Sequence, residues 1–366
     1  MSTRVLVVDD SILFRRVVAE ALAGIAGVEV AGSASNGKLG LAQLAALAPD
    51  VMTLDIEMPE MNGLEVLEAM KAAVSETGVI VLSSQTARGG SMTIRALELG
   101  AFDFVTKPEG GSPEDNLLQL RTRLQPILRA FERRRDIRRL SGRTKPVPAA
   151  VQVPARVVGP DGASTAVRRL RTQAPIVLIG VSTGGPAALR QLLPALPANL
   201  PAPVFIVQHM PPLFTEALAQ SLRRICAIGV KEASDHEMAQ RGWAYIAPGG
   251  RQMKLVRGAA GEIMIKLTDD PPENNCRPAV DYLFRSAALQ FPGRSVAVIL
   301  TGMGNDGAQG LRQLKRGGCA TIAQDEATSV VYGMPREAFL TGAVDSVLPL
   351  PQIAAAIVRA VEEART

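Results

Sequence analysis

Short apolar runs alternate with longer helix-like stretches from Arg4 to about Leu120. Residues 5–8, 28–31, 51–54, 79–82 and 102–105 read as strands, and residues 12–22, 37–47, 63–72 and 92–99 read as helices between them. Strands regularly separated by helices imply right-handed crossovers and a parallel sheet covered on both faces. A further helix is predicted over 113–139, increasingly charged toward its end, and Pro146, Pro148, Pro154 and Pro160 then interrupt a stretch rich in alanine, valine and arginine that reads as an extended connector. Alternation resumes at Pro175 and closes with a helical run over 350–363. The expected class is therefore α/β, with two doubly wound parallel-sheet domains, flavodoxin-like then Rossmann-like. The expected boundaries are 1–122, a basic helix extension and linker over 123–174, and 175–366.

Composition narrows the function classes. The 366 residues suit two domains, and although 47% are hydrophobic, no run approaches the roughly 20 apolar residues of a membrane span. Met1-Ser2-Thr3-Arg4 leads straight into the first strand with no room for a cleavable signal, so a cytoplasmic protein without membrane insertion is expected. The net charge of +5 is local: residues 129–145 hold seven arginines and one lysine against Glu132 and Asp136, a surplus of six, so the rest of the chain is close to neutral. That surplus reads as a solvated helix face beside a linker, and no nucleic-acid partner is expected. Cys226, Cys276 and Cys319 lie far apart with no histidine at ligand spacing, so buried free thiols are expected and neither disulfides nor a zinc site.

In the first domain Asp9 and Asp10 follow the first strand, Asp55 the third, Ser83 the fourth and Lys107-Pro108 the fifth, all on one rim of a parallel sheet. Three gathered carboxylates repel one another, and Mg²⁺, a hard cation that keeps exchangeable waters, suits them. With the metal and Lys107 neutralising a transferred phosphoryl group, Asp55 can act as a nucleophile and form an acyl phosphate, with Ser83 as a hydrogen-bonding partner of that group.

In the second domain three apolar runs end in chemistry: 176–179 before Gly180-Val181-Ser182-Thr183-Gly184-Gly185, 204–207 before Gln208-His209-Met210-Pro211-Pro212, and 296–300 before Thr301-Gly302-Met303-Gly304-Asn305-Asp306-Gly307. A serine hydroxyl needs a base, and the base needs a group that fixes its tautomer. Ser182, His209 and Asp306 supply these, with the Met303 N–H expected near the reacting carbonyl. The competing reading of Asp306 is a cap on the helix that follows it. The G-x-S-x-G pattern alone suggests an α/β-hydrolase, but the chain order Ser, His, Asp argues against that family, and the loop lacks both the Lys-Ser/Thr of a Walker loop and dinucleotide spacing.

The rim of the first domain, over residues 4 to about 122, resembles the receiver domains of response regulators. That likeness implies a histidine kinase as phosphodonor to Asp55, with Mg²⁺ held by Asp9, Asp10 and Asp55, and Ser83 and Lys107 sensing the phosphoryl group. The three segments of the second domain, together with Arg277-Pro278-Ala279-Val280-Asp281, Ala323-Gln324-Asp325-Glu326 and Gly333-Met334-Pro335-Arg336-Glu337, closely resemble the catalytic domain of the chemotaxis protein-glutamate methylesterases, the CheB family. The resemblance implies hydrolysis of methylated glutamates on the cytoplasmic helices of chemoreceptors, deamidation of receptor glutamines, and activation by phosphorylation. It also implies oxyanion donors at Met303 and the Thr183 turn, and no cofactor in the esterase site. The loop 247–253 departs from the family pattern with Gly250 where Asp is frequent and Gln252 where His is, which bears on receptor contacts. The rival function is a response regulator with a DNA-binding output that uses the arginines of residues 129–143.

Overall fold

The computed structural model describes residues 2–141 and 175–364, so the expected Pro- and Arg-rich connector lies outside the described residues. In the first domain β1 (Thr3–Val8), β2 (Val28–Ala34), β3 (Val51–Asp55), β4 (Gly78–Ser83) and β5 (Asp103–Thr106) pair in parallel in the order β2-β1-β3-β4-β5. Helices α1 (Ile12–Ala23), α2 (Gly37–Leu47), α3 (Gly63–Ala72) and α4 (Ala87–Leu99) connect them, and α5 (Pro113–Ser141) follows. This is the flavodoxin-like order, with its switch point between β1 and β3, where the ends of neighbouring strands open a crevice. A capping box at α3 anchors the loop beyond Asp55: Asn62 Oδ1 accepts from the Leu64 and Glu65 N–H groups, while the Glu65 carboxylate accepts from Asn62 N–H. α4 starts five residues before the expected Met92, because Thr86 caps it by accepting from Gly89 N–H at 2.9 Å. The Gly89-Gly90 pair hid that first turn from an apolar-pattern reading. α5 runs unbroken through position 122 with Pro126 inside it.

The second domain is built on a seven-stranded parallel sheet in the order β14-β13-β12-β6-β7-β9-β8. Its strands are β6 (Ile176–Val181), β7 (Val204–Gln208), β8 (Gly229–Glu232), β9 (Trp243–Ile246), β12 (Ser295–Ile299), β13 (Ala320–Gln324) and β14 (Ser346–Leu348). The helices are α6 (Gly185–Leu192), α7 (Phe214–Arg223), α8 (Val280–Gln290), α9 (Ala308–Arg316), α10 (Met334–Leu340) and α11 (Leu350–Glu363). β6, β7 and β12 are buried along their whole length, as central parallel strands with helices on both faces must be. The βα rhythm is broken once: β10 (Gln252–Arg257) and β11 (Ile263–Thr268) form an antiparallel hairpin whose alternating burial marks a one-faced ribbon, where the sequence led us to expect continued alternation. β6 lies between β7 and β12, so the chain reverses direction across the sheet there, and the loops after these three strands converge.

The two domains meet through α4 and β5 on one side and α6 and α7 on the other. Phe104 stacks on Phe214 with centroids 4.8 Å apart, and Glu98 accepts from Arg190 Nη1 at 2.8 Å and from the Ser221 hydroxyl. Buried Ile94 and Leu97 of α4 belong to the same apolar cluster as Leu189, Leu218 and Leu222.

Candidate active site

Ser182 follows β6, and its N–H donates to Thr301 O at 3.0 Å, which ties the β6 loop to the loop after β12. Gly302 makes this approach possible, since a Cβ there would lie 2.8 Å from Ser182 Cβ. The left-handed residue of the turn is Gly184 at φ 77°, one position past Thr183, so Ser182 itself does not carry the backbone strain of a nucleophile elbow. Gln208, buried at the end of β7, donates from Nε2 to Ser182 O at 3.0 Å and to His209 O at 3.2 Å, and thereby fixes the backbones of both residues relative to one another.

His209 Nε2 lies 2.8 Å from Asp306 Oδ2. Asp306, 3% exposed, accepts on the same oxygen from Val280 N–H at 2.7 Å and on Oδ1 from Asp281 N–H at 3.0 Å and Asn274 Nδ2 at 2.8 Å. The competing expectation, a cap on the helix that follows Asp306, is not met: α9 has no side-chain cap, and Asp306 accepts instead from the first N–H groups of α8. Two N–H groups at the positive end of α8 keep a buried carboxylate ionised. Burial alone would raise the Asp306 carboxyl, but His209 and these donors hold it below its ordinary value. Burial likewise disfavours a charged His209, but Asp306 and the Cys276 sulfur outweigh it and push the imidazole up to about 9.

The other ring nitrogen, Nδ1, faces Cys276 Sγ at 3.6 Å. Among the described residues Ser182 Oγ makes no hydrogen bond to His209, so Ser182 shares the cleft with the dyad but is not yet linked to it. Cys276 was expected to be a remote buried thiol; it is instead half-buried against the histidine, as the fold closes 67 residues of sequence. Cys226 is also half-buried, and only Cys319 matches the expectation.

The cleft containing Ser182, His209, Thr183 and Met303 has a volume of about 370 Å³, and its opposite wall comes from the first domain: Gln85, Asp103, Phe104, Thr106 and Arg123. Asp103 shares this cleft with Thr183; burial pushes its carboxyl up to about 6, against the pull of Phe104 N–H and Thr183. Sequence reading missed Asp103, Asn274, Cys276 and Gln208. Position within a strand-end motif marked Gln208 alone; the other three join the site from other segments.

Gln252 is fully buried. Its Nε2 donates to Pro271 O at 3.1 Å and Cys276 O at 3.3 Å, and its Oε1 accepts from Ala279 N–H at 2.8 Å. It therefore holds the loop that carries Cys276 into α8. Gly250 sits at φ 78°, where an aspartate would be strained.

On the rim of the first domain Asp9, Asp10 and Asp55 each present a carboxylate oxygen within 4.8 Å of the others. Lys107 Nζ bridges Asp9 Oδ2 at 2.8 Å and Asp55 Oδ2 at 2.7 Å, beneath the ring of Phe14. Burial pushes the Asp55 carboxyl up to about 6, against Lys107. Burial works against the charge of Lys107 too, but Asp55 and Asp9 raise it overall. The donor set, three hard oxygens at the switch point with Asp10 exposed to solvent, fits Mg²⁺. Ser83 is buried with its hydroxyl accepting from Thr93 Oγ1 of α4 at 2.7 Å and donating toward Gly89 O and Ser84 O, each at 3.3 Å, so its bonds run to α4 and its own loop and not to Asp55.

Residues 177–357 match the CheB methylesterase family and residues 5–119 match the response regulator receiver domain. The chain is 49% identical to a protein-glutamate methylesterase/protein-glutamine glutaminase of Desulfotalea psychrophila, covering 98% of both chains. It is 40% identical to a protein of the same name from Trichodesmium erythraeum, covering 97% of this chain and 98% of that one. The crystal structure of the Thermotoga maritima CheB methylesterase catalytic domain superposes with a TM-score of 0.50 at 43% identity, covering 51% of this chain and 98% of that one. With a receiver domain joined to a methylesterase domain in a single α/β chain, the protein belongs to the CheB methylesterase family.

Proposed function

We propose that this chain is a phosphorylation-activated, cytoplasmic protein-glutamate methylesterase of chemotaxis adaptation, acting on methylated glutamates of chemoreceptor cytoplasmic domains and deamidating receptor glutamines. The observation that carries this reading is the Asp306–His209 dyad opening, with Ser182, into a cleft whose far wall is the receiver domain. We take residues 1–122 as the receiver, 123–174 as helix extension and linker, and 175–366 as the catalytic domain.

Because Nε2 is engaged by Asp306, Nδ1 is the nitrogen that serves as base. It leaves Cys276 and takes the proton of Ser182 as Oγ attacks the side-chain carbonyl carbon. The oxyanion is received by N–H groups at Met303 and the Thr183 turn. Collapse breaks the bond to the methoxy oxygen, which departs as methanol with the proton from His209. Water then adds to the glutamyl-serine ester with His209 again as base, and the carboxylate leaves Ser182 restored. For a glutamine the departing group is ammonia.

In the receiver, Asp9, Asp10 and Asp55 would hold Mg²⁺, which supplies charge neutralisation for an incoming phosphoryl group. Asp55 attacks phosphorus on the phosphohistidine of the chemotaxis kinase, the P–N bond breaks, and Lys107 balances the added charge. A phosphoryl group on Asp55 competes with the Gly89 carbonyl of α4 for the Ser83 proton and so acts on α4, whose Glu98 faces the catalytic domain. Release of this contact opens the cleft. A DNA-binding output has no support in a second domain organised as a seven-stranded parallel sheet.

The test is methanol release from methylated receptor membranes. Ser182→Ala should abolish it; unchanged release would remove Ser182 from the mechanism.

A further inference from the structure

Cys276 Sγ and His209 Nδ1 are 3.6 Å apart, and their separation carries chemical information. A tetrahedral zinc with bonds of about 2.3 Å to sulfur and about 2.0 Å to nitrogen spaces those two ligands by about 3.5 Å. The pair is therefore already set at the edge of a zinc tetrahedron. A histidine ligand also needs its second nitrogen held by an acceptor that fixes the ring and its tautomer, commonly a carboxylate. Asp306 Oδ2 does this at 2.8 Å from Nε2, and it is oriented in turn by Val280 N–H, Asp281 N–H and Asn274. His209, Cys276 and Asp306 form, with the receiver acids, the two groups of metal-ligating side chains among the described residues. The two differ in kind: the receiver offers three hard oxygens, whereas this one offers a thiol and an imidazole, which select a softer ion.

We propose that the esterase site is also an inhibitory binding site for Zn²⁺, held by Cys276 Sγ and His209 Nδ1 with Asp306 orienting the imidazole. His209 and Ser182 both line the cleft, so water or the Ser182 hydroxyl would complete the tetrahedron. Binding releases the thiol proton as the sulfur–metal bond forms, and where the imidazole is charged it also releases the Nδ1 proton as the metal takes that lone pair. With only two strong protein ligands the ion is held reversibly, unlike a structural zinc with four. Inhibition rests on the proposed role of Nδ1 as base; binding does not.

The experiment uses the full chain with excess Mg²⁺ present to occupy the acidic rim, and Co²⁺ as a spectroscopic stand-in for Zn²⁺. A sulfur-to-cobalt charge-transfer band in the near ultraviolet, displaced by Zn²⁺, is expected for the native chain and for Cys319→Ala, and lost in Cys276→Ala and the near-isosteric Cys276→Ser. Methanol release, scored against each variant's own metal-free rate, should be inhibited by Zn²⁺ and restored by a chelator, with sensitivity at least about tenfold lower in both Cys276 variants, since loss of even an outer partner of a metal ligand costs that much. Absence of the band, a band that survives in Cys276→Ser, or zinc inhibition that survives there would each overturn the proposal. A band in a Ser182→Ala protein supports zinc binding whatever becomes of the catalytic assignment.

Discussion

Asp306 Oδ2 and His209 Nε2 share a 2.8 Å hydrogen bond that leaves Nδ1 as the one ring nitrogen free to exchange partners between Cys276 and Ser182. In the proposed mechanism the base must be neutral to accept a proton, and the His209 imidazolium is stabilised by Asp306, with the proton held up to about 9. The rate of methanol release should therefore fall as pH drops through that value and still be rising above pH 7. Asp306→Asn removes the stabilising charge, so the acid limb moves to lower pH while the plateau rate falls by about 10³–10⁴-fold, as in serine hydrolases that lose the orienting carboxylate. An unshifted limb would take Asp306 out of this role.

Glu98 joins the two domains through Arg190 and Ser221. Its carboxyl is held below its ordinary value: burial opposes ionisation, but Ser221, Arg95 and Arg190 outweigh it. A depressed carboxyl contributes its stabilisation above its ordinary range and loses it as pH falls through the folded value, so the contact is fully formed at neutral pH. Glu98→Ala should raise the rate of the unphosphorylated protein by about tenfold, the equivalent of about 1.4 kcal/mol of domain contact. The rate with phosphodonor should be unaltered.

Asp55→Ala should leave the basal rate in place and abolish the response to a small phosphodonor with Mg²⁺. Equal rates of the native chain with and without phosphodonor would remove the coupling.

Gln252→Ala leaves Ala279 N–H buried without its acceptor and frees the loop that delivers α8 to Asp306. A loss of about 1–3 kcal/mol in unfolding free energy is expected. kcat should fall more than KM rises, because the residue is enclosed in the protein; a pure KM effect would restore it to the receptor-binding surface.

The parallel sheets and the strand-end residues were legible because buried parallel strands are continuous apolar runs and their carboxyl ends share one rim, which places Ser182, His209 and Asp306 together whatever the loops do. What escaped was everything that depends on where a loop returns. Asn274 and Cys276 enter between a hairpin and α8, and no periodicity links either to His209. Asp103 belongs to a different domain, and its polar side chain at a strand start gives no hint of Thr183. Ser83 ends β4, next to the β3 end that carries Asp55, but its hydroxyl is engaged by Thr93, a helix residue with no motif of its own. The start of α4 was lost to two glycines that lower helix propensity, of which Gly89 permits the turn to lie close to Ser84 and Gly90 faces Leu213 of the second domain.

The wall that Phe104, Thr106 and Asp103 build across the esterase cleft makes the docked receiver and a bound substrate compete for one space. Competition of this kind is thermodynamically symmetric. Whatever enters the cleft favours the released receiver by the same factor that release favours entry, so under the proposed function a methylated receptor would itself be an effector of Asp55. The enzyme would then be phosphorylated most readily where its substrate is most abundant, with no separate sensor for it.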